Sequence, residues 1–222
     1  MVSEQIKARI EEYGRGIASD SPLMARARRG EIGREAVAAY LASLKYTLGE
    51  TPRLMQLSRR LAVDTGRLQL ADYFKRKLIE ESGHDLWAEQ DLRVLNGNDG
   101  EKRTPEPLPS AVALMRFIED SIRRDPALCV PYILFAEYIT VLLGPIWVEA
   151  LSQSCGIPRQ ALTVVDKHVL ADAVHAEEGF AEGRTASAGR GALLAEARPV
   201  PGAESPRHGR PVGGAGRLRR VG

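Results

Sequence analysis

Residues 168–175 read His168-Val169-Leu170-Ala171-Asp172-Ala173-Val174-His175. The polar members fall at i, i+4 and i+7, a single stripe along an α-helix, and every residue between them is apolar. A stripe at this spacing in so apolar a segment normally carries leucine. Imidazole and carboxylate in its place need a partner that a hydrocarbon core cannot supply, either hydrogen bonds or a metal ion. On this segment alone the bland and the ligating readings stand level.

Two further stretches change that balance. Glu81 and His84 lie three apart, which on a continuous helix sets both on one face. Taken alone, such a pair is more often a solvated face. Glu80 is an alternative to Glu81, with the one-turn spacing to His84 favouring Glu81, and Asp91 shares the face of His84 as an acceptor for an imidazole N–H or as an ordinary cap. Glu137 is the one charge in the nineteen residues from Cys129 to Trp147; a buried carboxylate costs several kcal/mol unless it is paired or bound to a metal. Three imidazoles and three carboxylates are thus available to converge, a mixed nitrogen and oxygen set that suits non-haem iron or manganese. His208, the fourth histidine, lies apart from them.

The surrounding pattern is helical throughout. Residues 3–30 read as one or two short helices, with Ser21-Pro22 a start signal. A longer helix over about 33–62 carries Val37, Tyr40, Leu41, Leu44 and Leu48 at spacings of three and four, with Thr51-Pro52 as a kink or interruption. Another runs over about 66–95 and stops at Asn96-Gly97-Asn98; its Tyr73, Phe74 and Trp87 read as core packing. Pro105, Pro107 and Pro109 mark a loop before helices near 110–123 and 126–153, and Ile157-Pro158 opens the last. No segment alternates with period two. The expectation is an all-α compact bundle of six or seven helices over residues 1–182.

Composition narrows the remaining choices. Residues 183–222 hold nine glycines, four prolines and eight arginines against Glu196 and Glu204, which reads as a disordered tail; the same bias is what an out-of-frame reading of a GC-rich gene produces. The formal charge of +2 therefore belongs to the tail, and no nucleic-acid partner is expected. The apolar run at 129–147 has the length of a membrane span, but Pro131 and Gly144-Pro145 bracket it and no aromatic or basic belts flank it, so it reads as a bundle's central helix. With two cysteines and a charged N-terminal stretch, a cytoplasmic protein is expected, acting on a small-molecule substrate, with a homodimer allowed.

The three stretches together resemble the haem-oxygenase-like di-iron oxidases and oxygenases, the iron-containing redox enzymes. The resemblance rests on Glu80-Glu81-Ser82-Gly83-His84-Asp85-Leu86-Trp87, on the isolated Glu137, and on His168-x-x-x-Asp172-x-x-His175, with Thr51-Pro52-Arg53 like that family's second core helix. It covers about residues 30–180. It implies a seven-helix fold in which Glu81, His84, Glu137, His168, Asp172 and His175 ligate two non-haem irons that activate dioxygen to oxidise a small substrate such as an amino acid or a fatty acid, often in natural-product pathways. Two relatives of the fold compete. Haem oxygenases hold haem through an early histidine, and no histidine precedes His84; thiaminase-like hydrolases need a cysteine nucleophile, which here must be Cys129 or Cys155. A non-catalytic accessory protein of the same fold is the alternative from outside enzymology.

Overall fold

The computed structural model describes residues 2–97, 104–173 and 175, and among them there is no strand. Seven α-helices are delimited: α1 (Val2–Asp20), α2 (Pro22–Arg28), α3 (Arg34–Asp64), α4 (Leu68–Glu81), α5 (Asp85–Asn96), α6 (Pro109–Arg124) and α7 (Cys129–Glu149). A π-turn at Ala150–Ser154 and a 3-10 turn at Arg159–Ala161 lead into a last helical stretch, α8 (163–173, with residue 175 also helical). The expected all-helical bundle is present. The expected tail at 183–222 lies outside the described residues.

Local chemistry sets most boundaries. Ser21 accepts the Met24 N–H and Pro22 takes the first helical position of α2, the arrangement the sequence signalled. At the other end of α5, Gly97 adopts φ 72°, which ends the helix as Asn96-Gly97 predicted. Thr51-Pro52 does not interrupt α3, which continues through Pro52 to Asp64. Thr51 Oγ1 bonds the Thr47 carbonyl at 2.8 Å and Tyr132 Oη at 2.8 Å, so packing across to α7 holds the helix where proline removes a backbone donor.

The sequence pattern over 66–95 predicts one helix, and the structure contains two. α4 stops at Glu81, and Gly83 takes φ 87°, a left-handed conformation in which a helix cannot continue. The chain then restarts as α5 directly after His84.

Two apolar cores result. One gathers α1, α4, α6 and the first turns of α7 around Leu54, Phe74, Ile122 and Leu134. The other gathers α2, α5, the end of α7 and the start of α8 around Leu41, Leu92, Leu151 and Val164. The helix α3 contributes to both, Leu41 to one and Leu54 to the other. The break between α4 and α5, and the middle of α7 with Glu137, fall where one core gives way to the other. With its flanking turns α7 (Pro126–Ser154) is long and apolar enough to cross a membrane by length and composition; in the bundle it packs against α1 and α6 and buries Val130, Ile133, Leu134, Glu137 and Val148.

Candidate metal centre

Glu81 and His84 do come together, though not as neighbours on one helix face. The turn at Ser82-Gly83 folds the chain so that His84 Nδ1 lies 3.1 Å from Glu81 Oε2. Trp87, one turn into α5, stacks on the His84 ring at 4.1 Å between centroids and 22° between planes. It also meets His168 edge-on at 5.3 Å. Read from the sequence as core packing, Trp87 does pack against the second core, and it also acts as a wedge against two imidazoles.

The helix α8 brings the rest. Its start is tied to α5 by Asp91, whose carboxylate accepts the Val164 backbone N–H and the Thr163 hydroxyl, each at 2.7 Å. Asp91 thus takes the capping role rather than accepting from an imidazole. The cap is supplied across helices, and it satisfies N-terminal donors of α8 that would otherwise be buried unpaired. Farther along α8, His168 Nδ1 lies 2.8 Å from the Val164 carbonyl. That contact requires the proton on Nδ1, which leaves Nε2 as a bare lone pair.

The candidate ligand atoms fall into two groups that share one carboxylate. Glu81, His84 and His168 form the first, and Glu81, Asp172 and His175 the second, with the atoms of each group within 4.8 Å of one another. Either group can hold a metal ion. Buried polar atoms normally find hydrogen-bond partners, yet Glu137 Oε2, His168 Nε2, Asp172 Oδ1 and His175 Nδ1 are buried without one. Four such atoms on four of the six expected residues, with Asp172 Oδ1 and His175 Nδ1 3.9 Å apart, fit a metal centre.

Glu137 differs from the rest. Its Oε1 accepts from the Lys77 ammonium at 2.8 Å, and Lys77 also pairs with Glu80 at 2.8 Å. So the partner that a buried Glu137 requires is present without any metal. Glu80 belongs to neither ligand group and stands at the site's edge, with its Oε2 3.9 Å from His175 Nε2. Neither Lys77 nor the roles of Glu80 and Trp87 follow from the sequence reading; the one available signal was Lys77 standing one turn before Glu81.

Electrostatics follow from this crowding. Burial, then the charges of Glu137 and Glu81, push the Asp172 carboxyl up to about 8. Burial pushes Glu137 up to about 7 against the pull of Lys77. Glu81 moves the other way, because the His84 hydrogen bond and charge, with His168 and Lys77, outweigh its burial. His168 is pulled down, first by burial and then by His84 and His175, so it stands neutral with a free lone pair.

Beside His168 opens a cavity of about 290 Å³, lined by Tyr40, Leu44, Leu143, Trp147 and Val165 among others. Among the described residues no Asp, Glu, Lys or Arg lines it. The cysteines lie elsewhere: burial pushes the Cys129 thiol up to about 12, and Cys155 donates to the Ala27 carbonyl.

A family profile described as iron-containing redox enzyme matches residues 42–198, which spans the whole candidate centre and runs past residue 182. Among curated proteins there is no significant match. A solved structure, a domain of unknown function with a haem-oxygenase-like fold from Shewanella denitrificans, superposes with a TM-score of 0.68 at 20% identity, covering 79% of this chain and 75% of that one. At that identity the likeness concerns the fold.

Proposed function

The chain belongs to the iron-containing redox enzymes, and from that premise we propose that it is a non-haem di-iron oxygenase or oxidase of a small organic substrate. Glu81, His84 and His168 would hold one iron, and Glu81, Asp172 and His175 the other, with Glu137 as a further ligand. The observation that carries this reading is the pair of ligand groups sharing Glu81, with lone pairs left bare at His168 and Asp172. When bound, iron supplies the electrons for reducing dioxygen, which carboxylates and imidazoles cannot provide.

The residues of the chain supply the rest. Val164 fixes the His168 tautomer and Trp87 fixes the ring planes, so the nitrogens are aimed before a metal arrives. The cavity beside His168 offers a mostly apolar bed for the substrate. Among the described residues its lining has no counter-charge for an ammonium or guanidinium group, which favours an uncharged or mainly hydrocarbon substrate body over a zwitterionic amino acid. The buried Cys129 thiol and the bonded Cys155 offer no activated nucleophile, which speaks against a thiaminase-like hydrolase.

A second reading, a non-catalytic member of the same fold, draws on Lys77 already occupying Glu137. Anaerobic loading with saturating Fe(II), metal analysis and then oxygen-electrode measurement separate the two. Two irons per chain and uptake of oxygen on exposure to air are expected; no bound iron would sink the enzyme reading.

A further inference from the structure

Lys77 is 6% exposed, and no other lysine or arginine among the described residues is buried. Its ammonium lies 2.8 Å from Glu137 Oε1 on α7 and 2.8 Å from Glu80 Oε2 on its own helix. Glu81, shared by both ligand groups, stands one turn further along α4. Glu81, Glu137 and Asp172 are buried together, with the partly exposed Glu80 at their edge, and once ionised they repel one another unless a cation stands among them. Lys77 is that cation. It is covalently attached, so it is present whether or not a metal is.

We propose that Lys77 is an internal counter-cation that competes with one of the two irons for Glu137 and so makes the two halves of the centre unequal. The inference rests on the two-iron reading above. In the metal-free protein Lys77 draws Glu137 into place and keeps α4 and α7 joined across the site. To bind a metal through Oε1, Glu137 must give up the lysine, and Glu80 lies ready to keep the ammonium paired when it does. The bare Oε2 of Glu137 offers a second route in which the carboxylate serves the lysine and a metal at once, with its charge divided between them. In both routes the later iron meets a carboxylate already partly neutralised. The first iron, on Glu81, His84 and His168, meets no such competitor. A preassembled apoprotein is gained at the expense of affinity for the second metal ion.

The test is anaerobic calorimetric titration with Fe(II), repeated with Mn(II) as a probe that air does not oxidise readily, alongside thermal melts of the metal-free protein. The wild-type chain is expected to take the first ion at least roughly tenfold more tightly than the second. Lys77→Met should lower the apoprotein melting temperature yet tighten the second ion by roughly tenfold, whereas Lys77→Arg, which keeps the charge, should keep the inequality. A lysine with a merely structural role would move both quantities downward together. Lys77→Gln retains a neutral donor to the carboxylates and serves if the methionine variant does not fold. Equal affinities in the wild type, or second-ion binding weakened in Lys77→Met or Lys77→Gln, would overturn the proposal while leaving the two-iron reading in place. No binding of either ion to any of these proteins would overturn both.

Discussion

His168 shows how much one hydrogen bond decides. With its Nδ1 proton committed to the Val164 carbonyl, Nε2 has no other role in the described structure than to accept a cation or a proton. His168→Ala is therefore expected to remove the iron shared with Glu81 and His84 while leaving that on Asp172 and His175, so anaerobic loading should give one iron per chain instead of two. His175→Ala should give the complementary loss. The carboxylates predict a pH dependence whose sign can be worked out. Asp172 and Glu137 sit at about 8 and about 7 when folded, against ordinary values of 3.8 and 4.5. Between those limits the folded apoprotein holds protons that the unfolded chain has released, so its stability falls as pH rises. The contribution is complete below about pH 4 and gone above about pH 8. Apoprotein melting temperatures should decline from about pH 5 to about pH 8, and iron binding at neutral pH should release protons, measured by calorimetry in two buffers of different ionisation enthalpy. A flat apoprotein profile would show that the carboxylates are not crowded as described. Glu81, His84, Glu137, His168 and Asp172 are buried, and for Glu137, His168 and Asp172 this was legible because imidazole and carboxylate have few other reasons to lie in apolar helices. Lys77 was not, since the run Lys75-Arg76-Lys77 reads as a solvated face, and one lysine turned inward leaves no mark on composition.

At the scale of elements, the centre depends on how α8 lies against α7 and α5. Gly144 makes the α7 contact possible: a Cβ there would stand 2.6 Å from Val169 Cγ2 and 3.1 Å from Val165 Cγ1. Valine side chains on a packed helix have little room to yield. Gly144→Val should accordingly cost about 1–3 kcal/mol, and it should also displace α8 with His168, Asp172 and His175. A thermal melt and an iron count check this together: a loss of stability with two irons retained would mean that α8 tolerates the shift. Helix periods were readable along nearly the whole chain, but the division of 66–95 into α4 and α5 was not. Glycine is tolerated inside helices, so Ser82-Gly83 alone does not announce a break. What forces it is tertiary: His84 reaches Glu81 through a turn, and α5 then packs with the second core.

Across the whole molecule, two apolar cores joined by α3 and α7 leave a polar seam at their meeting, and the seam is where the carboxylates and imidazoles collect. The overall architecture was legible because every segment carried the same period and none carried strand chemistry. The position of the seam was not, because it depends on which residues of α3, α4 and α7 fall at the boundary between the cores. The family match ends at residue 198, and the sequence beyond it is rich in glycine, proline and arginine. Deleting residues 199–222 is expected to leave both the melting temperature and the iron count unchanged within error, since such a segment buries little apolar surface. A fall of several degrees would show that it contributes to the fold.

Glu81 belongs to both ligand groups, yet its partners lie far apart along the chain, with His175 about ninety positions after His84. At ~5–20 residues per second a ribosome delivers Glu81 and His84 several seconds before α8 exists. During that interval neither group is complete, and Lys77 is a cation the chain itself supplies one turn before Glu80 and Glu81. On the proposed two-iron reading, neither ion would have its full ligand set until α8 has docked, and the cavity beside His168 would be a path to the site afterwards. Protein made without iron is thus expected to fold first and to be charged later.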